Sequence, residues 1–179
     1  MTTIFQKTTA WFSSQASEAD FECIYRTEMP RIYNYFRYRF GDDFLAEDLT
    51  SETFEKAWKY REKYKRDLGA FSTWLFTIAK RVSIDHYRRR HFETSLEETN
   101  DLPDNVVNME EMTQRHDDFE RLSCLLARLS DRDRELVALK YGAGLTNRSI
   151  AHLSGLNESN VAVILHRAVT KLRSEWEMP

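Results

Sequence analysis

Residues 147–173 read NRSIAHLSGLNESNVAVILHRAVTKLR, and this stretch fits two short helices crossing at a tight turn. Such a turn needs a small residue where the helices meet, a turn residue about four later, and apolar positions that pack the second helix. Ala151, Gly155 and the set Val161, Ile164 and Leu165 meet those needs in order. Gly155 can take a positive φ without steric cost, and Asn157 or Ser159 can cap the second helix. At about 100° per residue, Val161, Ile164, Leu165, Ala168 and Leu172 share one face, expected to be the core side. Ala162, Val163, His166, Thr170 and Arg173 share the other, with Arg167 on its flank. A helix-turn-helix would place that outer face in a DNA major groove. Asn157, Glu158, Ser159 and Asn160 would then meet base edges and phosphates at the helix start, and Arg148 suits a phosphate. A plain helical hairpin shows the same spacing, so the motif by itself leaves both readings open.

Working towards the N-terminus, helical spacing continues through Phe119, Leu122, Leu125, Leu126 and Leu129. Ser130 is placed to cap a further helix carrying Leu136, Val137 and Leu139, which Gly142 and Gly144 are expected to end. Residues 93–116 break the pattern. They are acidic, hold Pro103 and lack helical periodicity as far as Val107, so they read as a linker between domains. Charge follows the same partition. Residues 1–92 carry 16 Lys+Arg against 13 Asp+Glu; residues 93–120 carry one against ten; residues 121–179 carry nine against six. The formal net charge of -3 therefore conceals two mildly basic bodies and an acidic connection, and says little against nucleic-acid binding.

Before the linker, residues 18–92 read as three helices, and residues 1–17 as a flexible tail or short helix. Ile24, Tyr25, Met29, Ile32, Tyr33, Tyr35, Phe36 and Phe40 form one stripe. Gly41-Asp42-Asp43 is a turn. The second helix, Leu45 to Tyr60, gathers Leu45, Leu49, Phe54 and Ala57 on one broad side and Asp48, Glu52, Glu55 and Lys59 on the other. The third, from Phe71 to about Arg90, buries Phe71, Leu75, Ile78 and Val82. It turns Thr77, Lys80, Arg81, Tyr87 and Arg88 outwards, with Trp74 at the edge and Arg89 and Arg90 extending the charge. Cations interleaved with rings suit single-stranded or melting DNA, because cations follow phosphates and rings stack on unpaired bases. A solvated basic helix has the same composition.

The composition narrows the function class. Five Gly and three Pro in 179 residues disfavour all-β folds. Cys23 and Cys124 stand far apart in no metal-binding pattern and read as buried free thiols, which suits a reducing cytoplasm. No long apolar run marks a signal peptide or membrane span, so no membrane insertion is expected. No glycine-rich phosphate loop, GxSxG or HExxH is present, and the five histidines make no ligand spacing. No enzyme activity, metal or cofactor is implied.

Two linked stretches resemble one family. LAEDLTSETFEKAW at 45–58 followed by STWLFTIAKRVSIDHYRRR at 72–90 is similar to region 2 of the bacterial sigma factors. LARLSDRDRELVALKY at 126–141, followed by residues 147–173, is similar to their region 4. Regions 2 and 4 alone, joined by a short linker, is the arrangement of the extracytoplasmic-function (ECF) sigma factors. The resemblance implies an all-α fold of two small domains, 18–92 and 117–179, joined by the acidic linker 93–116, the second domain holding the helix-turn-helix. It implies a transcription initiation factor whose partners are core RNA polymerase, promoter DNA and an anti-sigma factor. Asp48, Leu49, Glu52, Phe54 and Glu55 would dock on the clamp coiled coil of the polymerase's largest subunit. Trp74, Lys80, Arg81, Asp85, Tyr87, Arg88 and Arg89 would meet the melted −10 element, with the loop from about Tyr64 to Ser72 holding an extruded base. Arg148, Asn157, Glu158, Ser159, Asn160, Ala162, Val163, His166, Arg167 and Lys171 would meet the −35 duplex. Three features depart from the family pattern: Ser51 in place of a common Gln, Arg81 in place of Asn, and the apolar run Ala162-Val163-Ile164 in the reader helix. The alternative is a helix-turn-helix regulator acting without polymerase, which leaves the acidic helix and the aromatic-basic helix unexplained.

Overall fold

The computed structural model describes residues 18–64, 70–96 and 114–177, all of whose regular elements are helical. The expected tail 1–17, the linker segment 97–113 and loop residues 65–69 lie outside the described residues. The N-terminal half comprises α1 (Glu18–Phe40), α2 (Asp43–Lys59), a 3₁₀ turn (Arg61–Lys63) and α3 (Phe71–Leu96). The C-terminal half comprises α4 (Gln114–Ala127), α5 (Asp131–Val137) continued by a π turn (Ala138–Gly142), α6 (Asn147–Ser154) and α7 (Glu158–Trp176). Two helices run further than expected: α3 continues to Leu96 and α4 starts at Gln114, so both ends of the anticipated linker 93–116 are helical. No Gly or Pro lies between His91 and Leu96, so no residue there stops the helix.

Local chemistry sets the helix ends. Gly41, at φ +74°, returns its amide to the Arg37 carbonyl at 2.8 Å and ends α1. Asp42 then caps α2 by accepting from the Leu45 amide at 2.9 Å. Ser130 caps α5 by accepting from the Asp133 amide, as its position predicts. α1 passes through Pro30 without ending. The ring removes one amide donor, and the buried stripe of Ile24, Ile32, Tyr35 and Phe36 keeps the helix on its neighbours.

α1 packs against α2, and α2 against α3. The expected stripe of α3 (Phe71, Leu75, Ile78, Val82) is buried, but so are Phe76, Ala79 and Ser83. Phe76 packs edge-on against Tyr35 of α1; beyond the N-terminal half, α3 meets α6, and α1 meets α4, α5 and the π turn. The two halves therefore share one hydrophobic core.

Their seam is polar as well as apolar. Arg39, 6% exposed, places Nε 3.0 Å from Glu135 Oε2 and Nη1 3.5 Å from Asp131. The fully buried Tyr35 donates its hydroxyl to Glu135 Oε1 at 3.0 Å. Burial and the nearby Glu135 carboxylate raise the Tyr35 pKa well above the ordinary tyrosine value, so it remains a donor. Arg31 Nε donates to the Ala143 carbonyl at 2.9 Å, and the Arg37 guanidinium lies 3.6 Å from the centre of the Phe119 ring. Gly142, expected simply to end a helix, has a different role. A Cβ there would fall 2.6 Å from the Asn34 carbonyl oxygen, so glycine is what lets the π turn approach α1. The chain-reversing role falls to Gly144, at φ +66°.

Candidate nucleic-acid interface and a neighbouring acidic face

The helix-turn-helix is built as its sequence prescribes. Thr146 caps α6 by accepting from the Ser149 amide at 3.1 Å. Ile150 is fully buried at the crossing, and Gly155 makes the turn at φ +69°. Of the two cap candidates it is Asn157 that acts, its Oδ1 accepting from the Asn160 amide at 2.7 Å. Val161, Leu165 and Ala168 face the core, with Ile164 and Leu172 packed against it. Glu158, Ser159, Asn160, Ala162, Val163, His166, Arg167 and Thr170 all face solvent, as does Arg148 on α6. Lys171 is set apart from this face, because its Nζ donates to the Arg128 carbonyl at 3.2 Å and lies 3.9 Å from Glu175. A lysine so tethered joins α7 to the end of α4.

The basic helix α3 divides its residues between two surfaces. Trp74, Arg81 and Asp85 recur at helical spacing on one side, where they line a cavity of about 450 Å³ with Lys56, Tyr60, Lys63 and Ile78. Trp74 packs against Tyr64 and Phe71, each with ring centres 5.4 Å away. Arg88 follows on the same side and is exposed. Sequence reasoning missed Lys56, Tyr60 and Lys63. They belong to α2 and the turn after it, and only the packing of α2 on α3 brings them to Trp74. Lys80 and Tyr87 fall on the other side of α3, towards the C-terminal half. There Lys80 Nζ donates to the Leu153 carbonyl at 3.0 Å. Tyr87 lies between Phe40, 5.4 Å away, and the Arg39 guanidinium, 4.9 Å away. Both line a second crevice of about 390 Å³ with Asp131, Glu135 and Leu156. In this arrangement the expected DNA-contacting set does not present one continuous face.

The acidic helix α2 needs a similar correction. Leu49 and Phe54 are buried in the core, so they support the acidic face from below and do not present themselves on it. Asp48 and Glu55 are exposed. Glu52 is half-buried and already committed, 2.8 Å from Lys56 and 3.2 Å from Arg89. Its partial burial alone would raise its pKa, but the hydrogen bonds from Lys56 and Arg89 outweigh that and hold it below the ordinary carboxylate value. Lys56 in turn lies 3.6 Å from Asp85, so α2 and α3 are clipped by alternating charges. Phe44, which sequence reasoning left out, stands 84% exposed in the first turn of α2. Its signal was legible: Phe44, Asp48, Ser51 and Glu55 are spaced on one face of the helix.

Cys124 is a free thiol but an exposed one, against its expected burial. Among the described residues no group of three or more His, Cys, Asp or Glu side chains is arranged to hold a metal, and no helix is long and apolar enough to cross a membrane.

Residues 24–93 match the family described as Sigma-70 region 2, and residues 119–172 match Sigma-70, region 4. The chain is 32% identical over 162 residues to the ECF RNA polymerase sigma factor BldN of Streptomyces coelicolor, a match covering 89% of this chain and 61% of that protein. It is 30% identical over 155 residues to the RNA polymerase sigma factor YlaC of Bacillus subtilis, covering 85% and 89% respectively. Its fold is similar to that of the sigma factor RpoE from Bartonella quintana, solved in complex with the anti-sigma factor NepR. The TM-score is 0.68 at 21% identity, covering 87% of this chain and 95% of that one.

Proposed function

Because the chain belongs to the ECF sigma factor family, with regions 2 and 4 in order, we infer that it is the promoter-specificity subunit of a bacterial RNA polymerase, acting in the cytoplasm. It binds core polymerase and directs it to promoters by reading a −10 and a −35 element. Covalent chemistry stays with the polymerase, and the chain contributes binding alone.

The observation that carries this reading is the pairing of two unlike surfaces on one small body. The helix-turn-helix offers an exposed outer face for duplex DNA. The cavity between α2 and α3 joins rings (Tyr60, Trp74) to cations (Lys56, Lys63, Arg81), which suits a base taken out of its stack and the phosphates on either side. Beside it, Asp48 and Glu55 with Glu47 present carboxylates that form no ion pair among the described residues. They suit docking on a basic protein surface, where charge pairing sets encounter rate and register. A free-standing regulator would have no use for that acidic face. An anti-sigma factor is the natural opposing partner, with the seam crevice around Lys80 and Tyr87 within reach of a segment that holds the halves together.

The test is reconstitution. Purified chain mixed with core polymerase should form a stoichiometric complex and initiate from discrete sites in a genomic fragment library. Asp48→Lys with Glu55→Lys, both exposed, should abolish complex formation and leave the helical content unchanged. A chain that neither binds core enzyme nor changes start-site selection would refute the proposal.

A further inference from the structure

The reader helix α7 has an unusual middle. Val161, Leu165 and Ala168 are buried, and at about 100° per residue the direction opposite their centre is that of Val163. Val163 is 48% exposed and points straight out from the core. Ser159 and Thr170 continue its line, Asn160, His166 and Arg167 flank it, and Ala162 stands about 100° round the helix from it, all exposed. A helix docked by this face would put a branched hydrocarbon at the floor of the major groove and its polar side chains at the edges.

The groove floor offers one alkyl group, the C5 methyl of thymine; cytosine shows only a C5 hydrogen in that place, and the other recognition groups are hydrogen-bond donors or acceptors. Setting Val163 against a purine edge or a cytosine amine would desolvate those groups with no partner for them, at a free-energy cost. Setting it against a thymine methyl removes apolar surface from water on both sides. Asn160 and Arg167 remain free to bond neighbouring bases or phosphates. We propose that Val163 is a specificity-determining residue that selects thymine in the −35 element by contact with its C5 methyl group. This rests on the reading of α7 as the −35 reader and adds the chemical group that it reads.

Uracil is thymine without that methyl, which makes the test direct. A promoter is first selected from a random-duplex library with the reconstituted holoenzyme. Templates are then made with uracil replacing each thymine of the −35 element in turn, and initiation is compared at limiting holoenzyme. One position should show a loss of about fourfold, the value of one buried methyl-sized group. With the Val163→Ala factor that discrimination should shrink towards one, while Val163→Ile should keep it. The side chain is exposed and alanine favours helix, so the variant should fold, and a melting curve verifies this. Wild-type holoenzyme indifferent to uracil at every −35 thymine, or a selected element lacking thymine, overturns the inference. So does a Val163→Ala factor that keeps the full thymine-over-uracil preference. Scrambling the whole −35 duplex separates the two levels: if scrambling abolishes initiation and uracil is neutral, α7 still reads DNA but not by this contact. If scrambling has no effect either, the −35 role itself fails.

Discussion

Replacing Glu135 with alanine tests the seam between the halves at its most constrained point. The Arg39 side chain is 7% exposed and that of Glu135 14%, so the pair is largely dry. Removing one member of a buried ion pair costs about 3–5 kcal/mol, because the remaining charge is stranded. Tyr35 also loses the acceptor of its hydroxyl, at about 1–3 kcal/mol. Two features lower the sum. Arg39 Nε is close to Glu135 but not aligned for a hydrogen bond with it, and Asp131, 72% exposed, remains 3.5 Å away as a residual partner. A net cost of about 3 kcal/mol, taken at the low end of these ranges, corresponds to a shift of roughly 150-fold in the equilibrium holding the halves together. Separation of the halves rehydrates Arg39 and leaves the contacts within each half in place, so the lost ion pair weighs on the seam. Small-angle scattering of the free chain should therefore show a larger radius of gyration, with helical content by circular dichroism unchanged. Glu135→Gln, which keeps an acceptor for Tyr35, should fall between wild type and Glu135→Ala. Scattering and stability within about 1 kcal/mol of wild type for Glu135→Ala would refute the claim that this pair closes the seam.

Gly142→Val should also loosen the seam, because its Cβ meets the Asn34 backbone and not a side chain that could swing aside. A loss of about 1–3 kcal/mol is expected by urea unfolding. Phe44→Ser should weaken core-polymerase binding severalfold with no loss of thermal stability, since the ring is 84% exposed and exposed aromatics at interfaces are common anchors. Titration of the holoenzyme and a melting curve of the free factor separate the two effects. Arg81→Ala with Arg88→Ala should lower promoter opening and reduce the slope of its salt dependence by about two. Acid should release the α2–α3 clip. The Glu52 pKa is lowered in the fold, so its contribution is present above the ordinary carboxylate value and is lost as pH falls through the lowered one. Glu52→Gln should flatten that acid limb in a pH series of urea melts.

Much of this protein was legible one residue at a time. Gly155, Ser130 and the outward face of α7 follow from helical period, capping chemistry and the conformational freedom of glycine. These are local properties that a short segment carries with it, and the all-α fold follows from their repetition. The family motifs added the partner class proposed for each surface. Contacts between distant segments carry no such local signature. Nothing near Lys80 or Tyr87 announces that they turn towards the C-terminal half, or that Lys80 bonds the Leu153 carbonyl 73 residues away. Lys56, Tyr60 and Lys63 join Trp74 because α2 packs on α3. Leu49 and Phe54 leave the acidic face of α2 because the core takes them. Gly142 looked like punctuation, and its reason is the Asn34 backbone lying across from it. Periodicity fixes which residues share a side of a helix; what stands opposite that side is decided when the helices pack, and that is where burial, charge pairing and access to a partner are set.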